Sequence, residues 1–421
     1  MNSAPSRRCL AVFVAIAAVG FALIAQPVLS LAADDDEAMP DPLCRVYATA
    51  PGATWAASGM LPFAEFVSRL TPADVVILGE YHDDPASHAM ELALLERLAA
   101  SRTALVLSME MFERDVQSVL DNYLAGGMTE DEFLAQSRPW GNYPTDYRPL
   151  IEFAKAHGIK VVAANTPTEL ARRIAREGID AALAGMTPTE RGWLAANTSA
   201  PDDMYWENFK LQMGGGGHGG MQMDEAMVRS FYQSQCMKDD TMAESIVRAL
   251  LGGAPVATAA GEGAVERPHV LHVTGSFHCD YKLGTAARVI QRLAGPLSVA
   301  AAAPAEGKAE LGSASGRVIV VAMRPVQGWS QAGLRAEGVY VDYTGADGAV
   351  QSVPVGDFVV FVPAPDFGQA IRAVPPTPEP EAAAEDEMTM PPMPPAPGAP
   401  AAPAPGAPAM LPAPPAMPPS S

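Results

Sequence analysis

Short apolar runs rich in β-branched residues recur along the chain, each closed by turn residues. They are Val75-Val76-Ile77-Leu78, Ala104 to Met109, Val161 to Ala164 and Val270 to Thr274. Their apolar character is continuous rather than alternating, which predicts strands covered on both faces, as in a parallel sheet. Helical spacing fills the intervals. Asp84-Pro85 is an N-cap followed by proline at the first helical position, and Met90, Leu94 and Leu98 then form one stripe. Phe112 to Leu124 predicts a second helix stopped by Gly126-Gly127, and a third runs from about Pro149 to a C-cap at Gly158. Thr168 to Glu177 predicts a fourth. This alternation implies an α/β fold of three layers around a mainly parallel sheet.

Beyond residue 179 the pattern stays helical up to about residue 250, as a helical insertion with one interruption. Gly214 to Gly220, which contains His218, cannot continue a helix, and a helix is predicted from about Asp224 to Leu251. Methionines crowd this region, so the loop reads either as a thioether-rich cover for a large apolar ligand or as a surface insertion. Residues 296–315 read as an Ala/Gly/Pro linker. Strands are then predicted at Arg317 to Met323, Val339 to Tyr343 and Phe358 to Val362, giving a small β appendage over 316–372 that either extends the main sheet or folds beside it. Residues 373–421 are Pro/Ala/Met-rich without apolar periodicity, the composition of a disordered tail.

The strand ends carry the chemistry. Each of four strands delivers a polar group at its C-terminal end, namely Glu80 with His82, Glu110, Asn165 and His278. Gly79-Glu80-Tyr81-His82 and Gly275-Ser276-Phe277-His278 repeat one spacing, with a glycine for the turn and a histidine three residues later. Ligands of open α/β sheets bind outside the carboxyl ends of the strands, so the two histidines are expected to converge there.

Charge and targeting narrow the setting. Residues 1–32 combine Arg7-Arg8, an apolar stretch and Ser30-Leu31-Ala32, the pattern of a cleaved export signal. No cysteine follows the apolar stretch where a lipoprotein would need one. The expected location is therefore the periplasm or the exterior, without stable membrane insertion after cleavage. The formal charge of −20 becomes −22 once Arg7 and Arg8 are removed, which argues against nucleic acid as a partner. Cys44, Cys236 and Cys279 remain; this odd number leaves at least one thiol free or paired between molecules. Cys279, beside His278, reads as a buried thiol or a soft ligand.

Taken in order, Gly79 to His82, Glu110-Met111-Phe112, Trp140 with Tyr143 and Tyr147, Asn165-Thr166-Pro167, Tyr232 to Ala243 and Gly275 to His278 resemble the ChaN-like haem-binding proteins. Those share a superfamily with Tiki metalloproteases, TraB-like proteins and erythromycin esterases. The resemblance covers roughly residues 60 to 295 of a domain placed at 33–295. It implies a duplicated α/β core, haem bound outside the cytoplasm as part of iron uptake, a tyrosine as iron ligand and a homodimer around the haem. An anionic phenolate suits ferric iron. Tyr81, Tyr205, Tyr232 and Tyr281 are the candidates, with His218 as a further haem contact and Arg138, Arg148 or Lys238 for the propionates.

The Tiki branch implies a different chemistry at the same strand ends. There His82, His278, Glu80 and Glu110 would hold zinc, manganese or cobalt, with a glutamate as general base for hydrolysis. The erythromycin esterase branch implies the same residues working without metal. A third reading leaves Glu80 and His82 as structural caps. A fourth makes the chain a scaffold whose Pro-rich tail recruits a partner.

Overall fold

The apolar runs pair into one eight-stranded sheet in the computed structural model, which describes residue 39 and residues 43–49, 59–101, 104–214, 224–252, 268–294, 318–327, 339–344 and 350–365. The strands are β1 (Arg45–Ala48), β2 (Met60–Leu61), β3 (Val75–Glu80), β4 (Leu105–Glu113), β5 (Lys160–Asn165), β6 (His269–Gly275), β7 (Val318–Val326), β8 (Tyr340–Thr344), β9 (Val350–Pro354) and β10 (Phe358–Pro363). The sheet order is β2-β1-β10-β7-β3-β6-β4-β5, and β8 and β9 form a separate hairpin. From β10 to β5 every neighbour is parallel, whereas β1 runs antiparallel to both β10 and β2.

The helices are α1 (Phe63–Leu70), α2 (Pro85–Ser101), α3 (Gln117–Leu124), α4 (Glu130–Ser137), α5 (Arg148–His157), α6 (Thr168–Glu177), α7 (Ile179–Ala184), α8 (Pro188–Gly192), α9 (Met204–Gly214), α10 (Glu225–Leu251) and α11 (Gly284–Ala294). Strand side chains alternate between the faces of a sheet. On β3, Val76 and Leu78 therefore pack with α1, α2 and α5, while Val75 and Ile77 pack with α10 and α11. These two apolar clusters make the outer layers of a three-layer α/β sandwich.

Local signals place the helix ends. Asp84 caps α2, its carboxylate accepting the Ser87 backbone N–H at 2.9 Å. Gly158 closes α5 in the left-handed region, with φ 65°. The predicted helix at Phe112 to Leu124 starts later than expected. Strand β4 continues to Glu113, a short 3-10 turn follows, and α3 begins at Gln117. Phe112 is held in the strand by packing against Phe133 and Tyr143, and tertiary contact overrides the local helical pattern. The register of β4 on β5 shifts between Met109 and Glu113, a bulge beside Glu110.

Two of the three expected C-terminal strands extend the main sheet, while the one at Tyr340–Thr344 pairs only in the separate hairpin. Val318–Val326 pairs with β3, and Phe358–Pro363 pairs with it in turn. The expected export signal (1–32), the linker (296–315), the tail (373–421) and residues 215–220 of the glycine loop, His218 among them, lie outside the described residues, while Gly214 ends helix α9. Cys44, Cys236 and Cys279 are all buried. Among the described residues, no helix is long and apolar enough to cross a membrane.

Candidate functional site

Period-two alternation sends the two glutamates to opposite faces. Glu80 continues the Val76-Leu78 row toward α2, and Glu110 continues the Val106 row toward α10. Each carboxylate meets its own histidine.

On the α2 side, Glu80 is buried and its Oε1 lies 2.8 Å from His82 Nδ1. The Tyr147 hydroxyl donates to the same oxygen at 2.8 Å. The other oxygen, Oε2, lies 3.0 Å from His88 Nδ1, and His88 also approaches Glu91 Oε2 at 3.1 Å. Burial alone would raise the Glu80 carboxyl, but His82 and His88 outweigh it and hold the pKa at about 2. Burial likewise opposes charge on His88, yet its contacts with Glu80 and Glu91 push it up to about 11. Glu91, fully buried beside Glu80, is pushed well above the usual carboxylate range. His82 is half-buried, edge-on to Trp140 with ring centroids 4.8 Å apart, and Asn142 Nδ2 donates to its carbonyl at 2.7 Å.

On the α10 side, Glu110 Oε2 accepts the Thr274 hydroxyl at 2.6 Å and the Gly275 N–H at 2.8 Å. Its Oε1 lies 3.2 Å from His278 Nε2. His278 Nδ1 lies 2.7 Å from Asp239 Oδ1, and Asp239 also accepts from Thr285 at 2.9 Å and from the Tyr205 hydroxyl at 2.8 Å. Burial opposes charge on His278, but Glu110 and Asp239 overcome it and raise the ring to about 10. Burial would raise Glu110, yet the His278 charge holds it well below the ordinary range.

The two halves meet over Gly275. A Cβ at this residue would fall 2.6 Å from His82 Nε2 and 3.7 Å from Glu110 Oε2. The glycine is required by this close approach, not by its backbone angles, which are ordinary at φ −60°. The fields of Glu110 and Glu80, with the Glu80 hydrogen bond, outweigh burial and raise His82 above its usual value. Glu80, His82, Glu110 and His278 are thus neighbours arranged as two carboxylate–histidine pairs. Asn165 ends β5 with its side-chain oxygen turned to the Thr166 N–H at 2.8 Å.

The four tyrosines separate by exposure. Tyr81 is 40 % exposed at the C-terminal end of β3, with the Arg324 guanidinium 5.8 Å from its ring centre. Tyr205 is buried with its hydroxyl on Asp239, and Tyr232 is buried with its hydroxyl on the Pro201 carbonyl at 3.0 Å. Tyr281 is half-buried, with φ 58°. Burial raises the phenol pKa of Tyr205, Tyr232 and Tyr281 alike. Arg138 is paired with Glu113 and Asp115, Arg148 is paired with Glu130, and Lys238 is half-buried on α10.

Sequence reasoning passed over His88 and Glu91. The signal was present: His88, Glu91 and Leu95 fall at i, i+3 and i+7, which puts two ionisable groups on a buried helical row. Asp239 was visible only inside the Tyr232 to Ala243 segment, with nothing local to connect it to His278.

A family model described as haem-binding uptake, Tiki superfamily, ChaN matches residues 66–289, more than half of the chain. The chain belongs to this family. The ChaN match runs from within α1 to within α11 and so contains every residue of both carboxylate–histidine pairs. A curated relative, the chloroplastic protein RETICULATA-RELATED 5 of Arabidopsis thaliana, is 28 % identical over 130 residues. That alignment covers 29 % of this chain and 17 % of the relative, so the chain spans only a small part of it. Among solved structures, one titled for cofacial haem binding to ChaN of Campylobacter jejuni is 15 % identical, with a TM-score of 0.46, covering 75 % of this chain and 96 % of that one. An erythromycin esterase mutant in its open conformation is 11 % identical, with a TM-score of 0.36, covering 74 % and 83 %.

Proposed function

We propose that this ChaN-family protein binds haem at the C-terminal edge of its sheet, with Tyr81 as the iron ligand. The exposure of Tyr81 carries the reading. A phenol must reach outward to meet a porphyrin, and Tyr205 and Tyr232 have their hydroxyls committed inside the fold. Arg324, buried and paired with Asp280 at 2.6 Å, sets its guanidinium 5.8 Å from the Tyr81 ring centre and so fixes the ring at this edge. The half-exposed Trp140, Phe277 and Tyr281 at the same edge fit an apolar macrocycle. When bound, haem would supply ferric iron to the phenolate oxygen, while this chain positions that oxygen and shields one porphyrin face.

The expected export signal supports a location outside the cytoplasm, and the family description supports a step in haem uptake. Two copies enclosing haem between their Tyr81 edges would complete the site. The test is a haemin titration of the mature protein followed by absorbance. A saturable Soret band that Tyr81→Phe weakens at least tenfold or shifts, while Tyr205→Phe leaves it intact, is the expected result. An unchanged spectrum in Tyr81→Phe would remove the assignment, and size-exclusion of the loaded protein tests the dimer.

A second reading is favoured by the approach of His82 and Glu110 over Gly275. His82 Nδ1 faces Glu80, which leaves Nε2 directed at the neighbouring dyad, the orientation a hydrolase gives its general base. Without metal, Glu110 and His278 would complete such an acid–base site; alternatively His82, His278 and one glutamate would hold zinc, manganese or cobalt, which would supply an activated water with the other glutamate as general base. Loss of ester or peptide hydrolysis in His82→Ala and His278→Ala, with haem binding retained, would support it. The absence of turnover in wild type on both substrate classes would dismiss it.

A further inference from the structure

His88 stands between two carboxylates that the candidate site does not use together. It lies on the first turns of α2, one helical turn from Glu91, and both face Glu80 at the end of β3. The three are 6 %, 0 % and 1 % exposed, for His88, Glu91 and Glu80. One ligand atom from each can be chosen so that all lie within 4.8 Å of one another. Among the described residues they are the group of histidine, cysteine and carboxylate side chains that meets this spacing.

The hydrogen-bond roles expose what the cluster lacks. His88 Nε2 faces the His82 carbonyl at 3.3 Å and Asp146 Oδ2 at 3.6 Å. Both are acceptors, so Nε2 carries the ring proton. Nδ1 is directed between Glu80 Oε2 at 3.0 Å and Glu91 Oε2 at 3.1 Å, so the two carboxylates and this nitrogen converge on one point. The carboxylates demand positive charge at that point, which a proton on Nδ1 meets in the metal-free protein and a bound cation would meet by displacing it. Glu80 Oε2 makes no well-formed hydrogen bond in this arrangement, and one further atom, Glu91 Oε1, is likewise buried without a hydrogen-bond partner.

We propose that Glu80, His88 and Glu91 form a binding site for one divalent transition-metal cation of the zinc or manganese class. One nitrogen and two carboxylate oxygens are a donor set that zinc accepts, at about 2.0–2.2 Å from each atom. Donors near 3 Å apart suit bonds of that length around one ion. Two carboxylates and a neutral imidazole balance the dication, leaving the buried site without net charge. The supporting contacts are those of a metal site. The carbonyl of His82 and Asp146 orient the His88 ring, and Tyr147 and His82 hold Glu80 through Oε1. Tyr147 also packs edge-on to His88, with centroids 5.0 Å apart. The set shares only Glu80 with the His82, Glu110 and His278 group, and it is independent of Tyr81.

The experiment is calorimetric titration of zinc chloride, then manganese chloride, into chelator-treated haem-free protein, with elemental analysis after dialysis. One equivalent is expected, weakened at least tenfold in both His88→Ala and Glu91→Gln and retained in His278→Asn. The metal should raise the unfolding midpoint of wild type and of His278→Asn but not of the first two variants. Cobalt loaded into wild type gives a readout that survives any folding failure of a variant, as a visible band of a nitrogen- and oxygen-ligated ion that zinc displaces. No stoichiometric uptake by wild type would overturn the proposal. So would binding that persists in His88→Ala, or that His278→Asn abolishes.

Discussion

His82 Nε2 occupies the space where a Cβ on Gly275 would be, 2.6 Å from that position. The first Gly-x-x-His motif thus depends on the glycine of the second, through a contact between the end of β3 and the end of β6. Gly275→Ala forces the imidazole off this place and away from Glu80 and Trp140. The expected loss is about 1 to 3 kcal/mol in denaturant unfolding, as for other overpacked sites. By NMR titration the His82 pKa should fall back toward its ordinary value. A variant with an unmoved His82 titration would refute the contact.

Two histidines on one strand and its end give stability opposite pH dependences. His272, buried in β6 with Nδ1 3.0 Å from Ser108 Oγ, is pushed down to about 4 by burial. Its folded value lies below the unfolded 6.5, so its contribution is complete above pH 6.5 and is lost as pH falls toward 4, roughly 3 kcal/mol in all. His278, raised to about 10, contributes fully below pH 6.5 and loses that contribution as pH rises to 10. Denaturant midpoints measured from pH 4 to 10 should fall on both sides of neutrality. His272→Asn should flatten the acid limb above pH 4 and His278→Asn the alkaline one, and unchanged slopes would contradict both assignments.

Asp239 joins three elements by accepting from Tyr205 of α9, Thr285 of α11 and His278 after β6. Asn in its place turns an amide donor toward one of these groups and strips the His278 imidazolium of a counter-charge. Breaking such a buried pair costs about 3 to 5 kcal/mol. Tyr205→Phe, which removes one hydrogen bond, should cost closer to about 1 kcal/mol. Urea unfolding of the two variants checks the order, and equal losses would argue against the network.

Arg114 fastens α10 to the end of β4. Its guanidinium donates to Ser245 Oγ at 2.8 Å, the Thr241 carbonyl at 2.7 Å, and the Leu194 carbonyl and Glu244 at 3.1 Å each. Arg114→Met keeps the bulk but leaves those acceptors unsatisfied, at a cost of about 2 to 4 kcal/mol. Hydrogen exchange should accelerate first in the Thr241 to Ser245 turn of α10, and protection equal to wild type there would rule out this anchoring role.

Much of the fold was legible in residues 75 to 294 because its signals are local. Continuous apolar runs mark strands covered on both faces, and Asp84-Pro85 and Gly158 mark helix ends through backbone chemistry that needs no distant partner. The start of α3 was misplaced because the Phe112 side chain finds its place against Phe133 and Tyr143, and no local pattern records that packing.

Strand spacing alone placed Glu80, His82 and His278 at or just beyond the ends of their strands, whereas Glu110, expected at a strand end, lies three residues inside β4 beside its bulge. What the sequence left undecided was which of them would touch. That followed from inserting β6 between β3 and β4, and from the face each glutamate occupies. Alternation tells that successive side chains oppose each other, but only the packed layers tell which face carries α2 and which carries α10. Glu80 therefore acquired His88 and Glu91, and Glu110 acquired His278 backed by Asp239, through contacts between residues far apart in the chain. Pairing of that kind is selected by the global packing of layers, and no local preference of the chain encodes it.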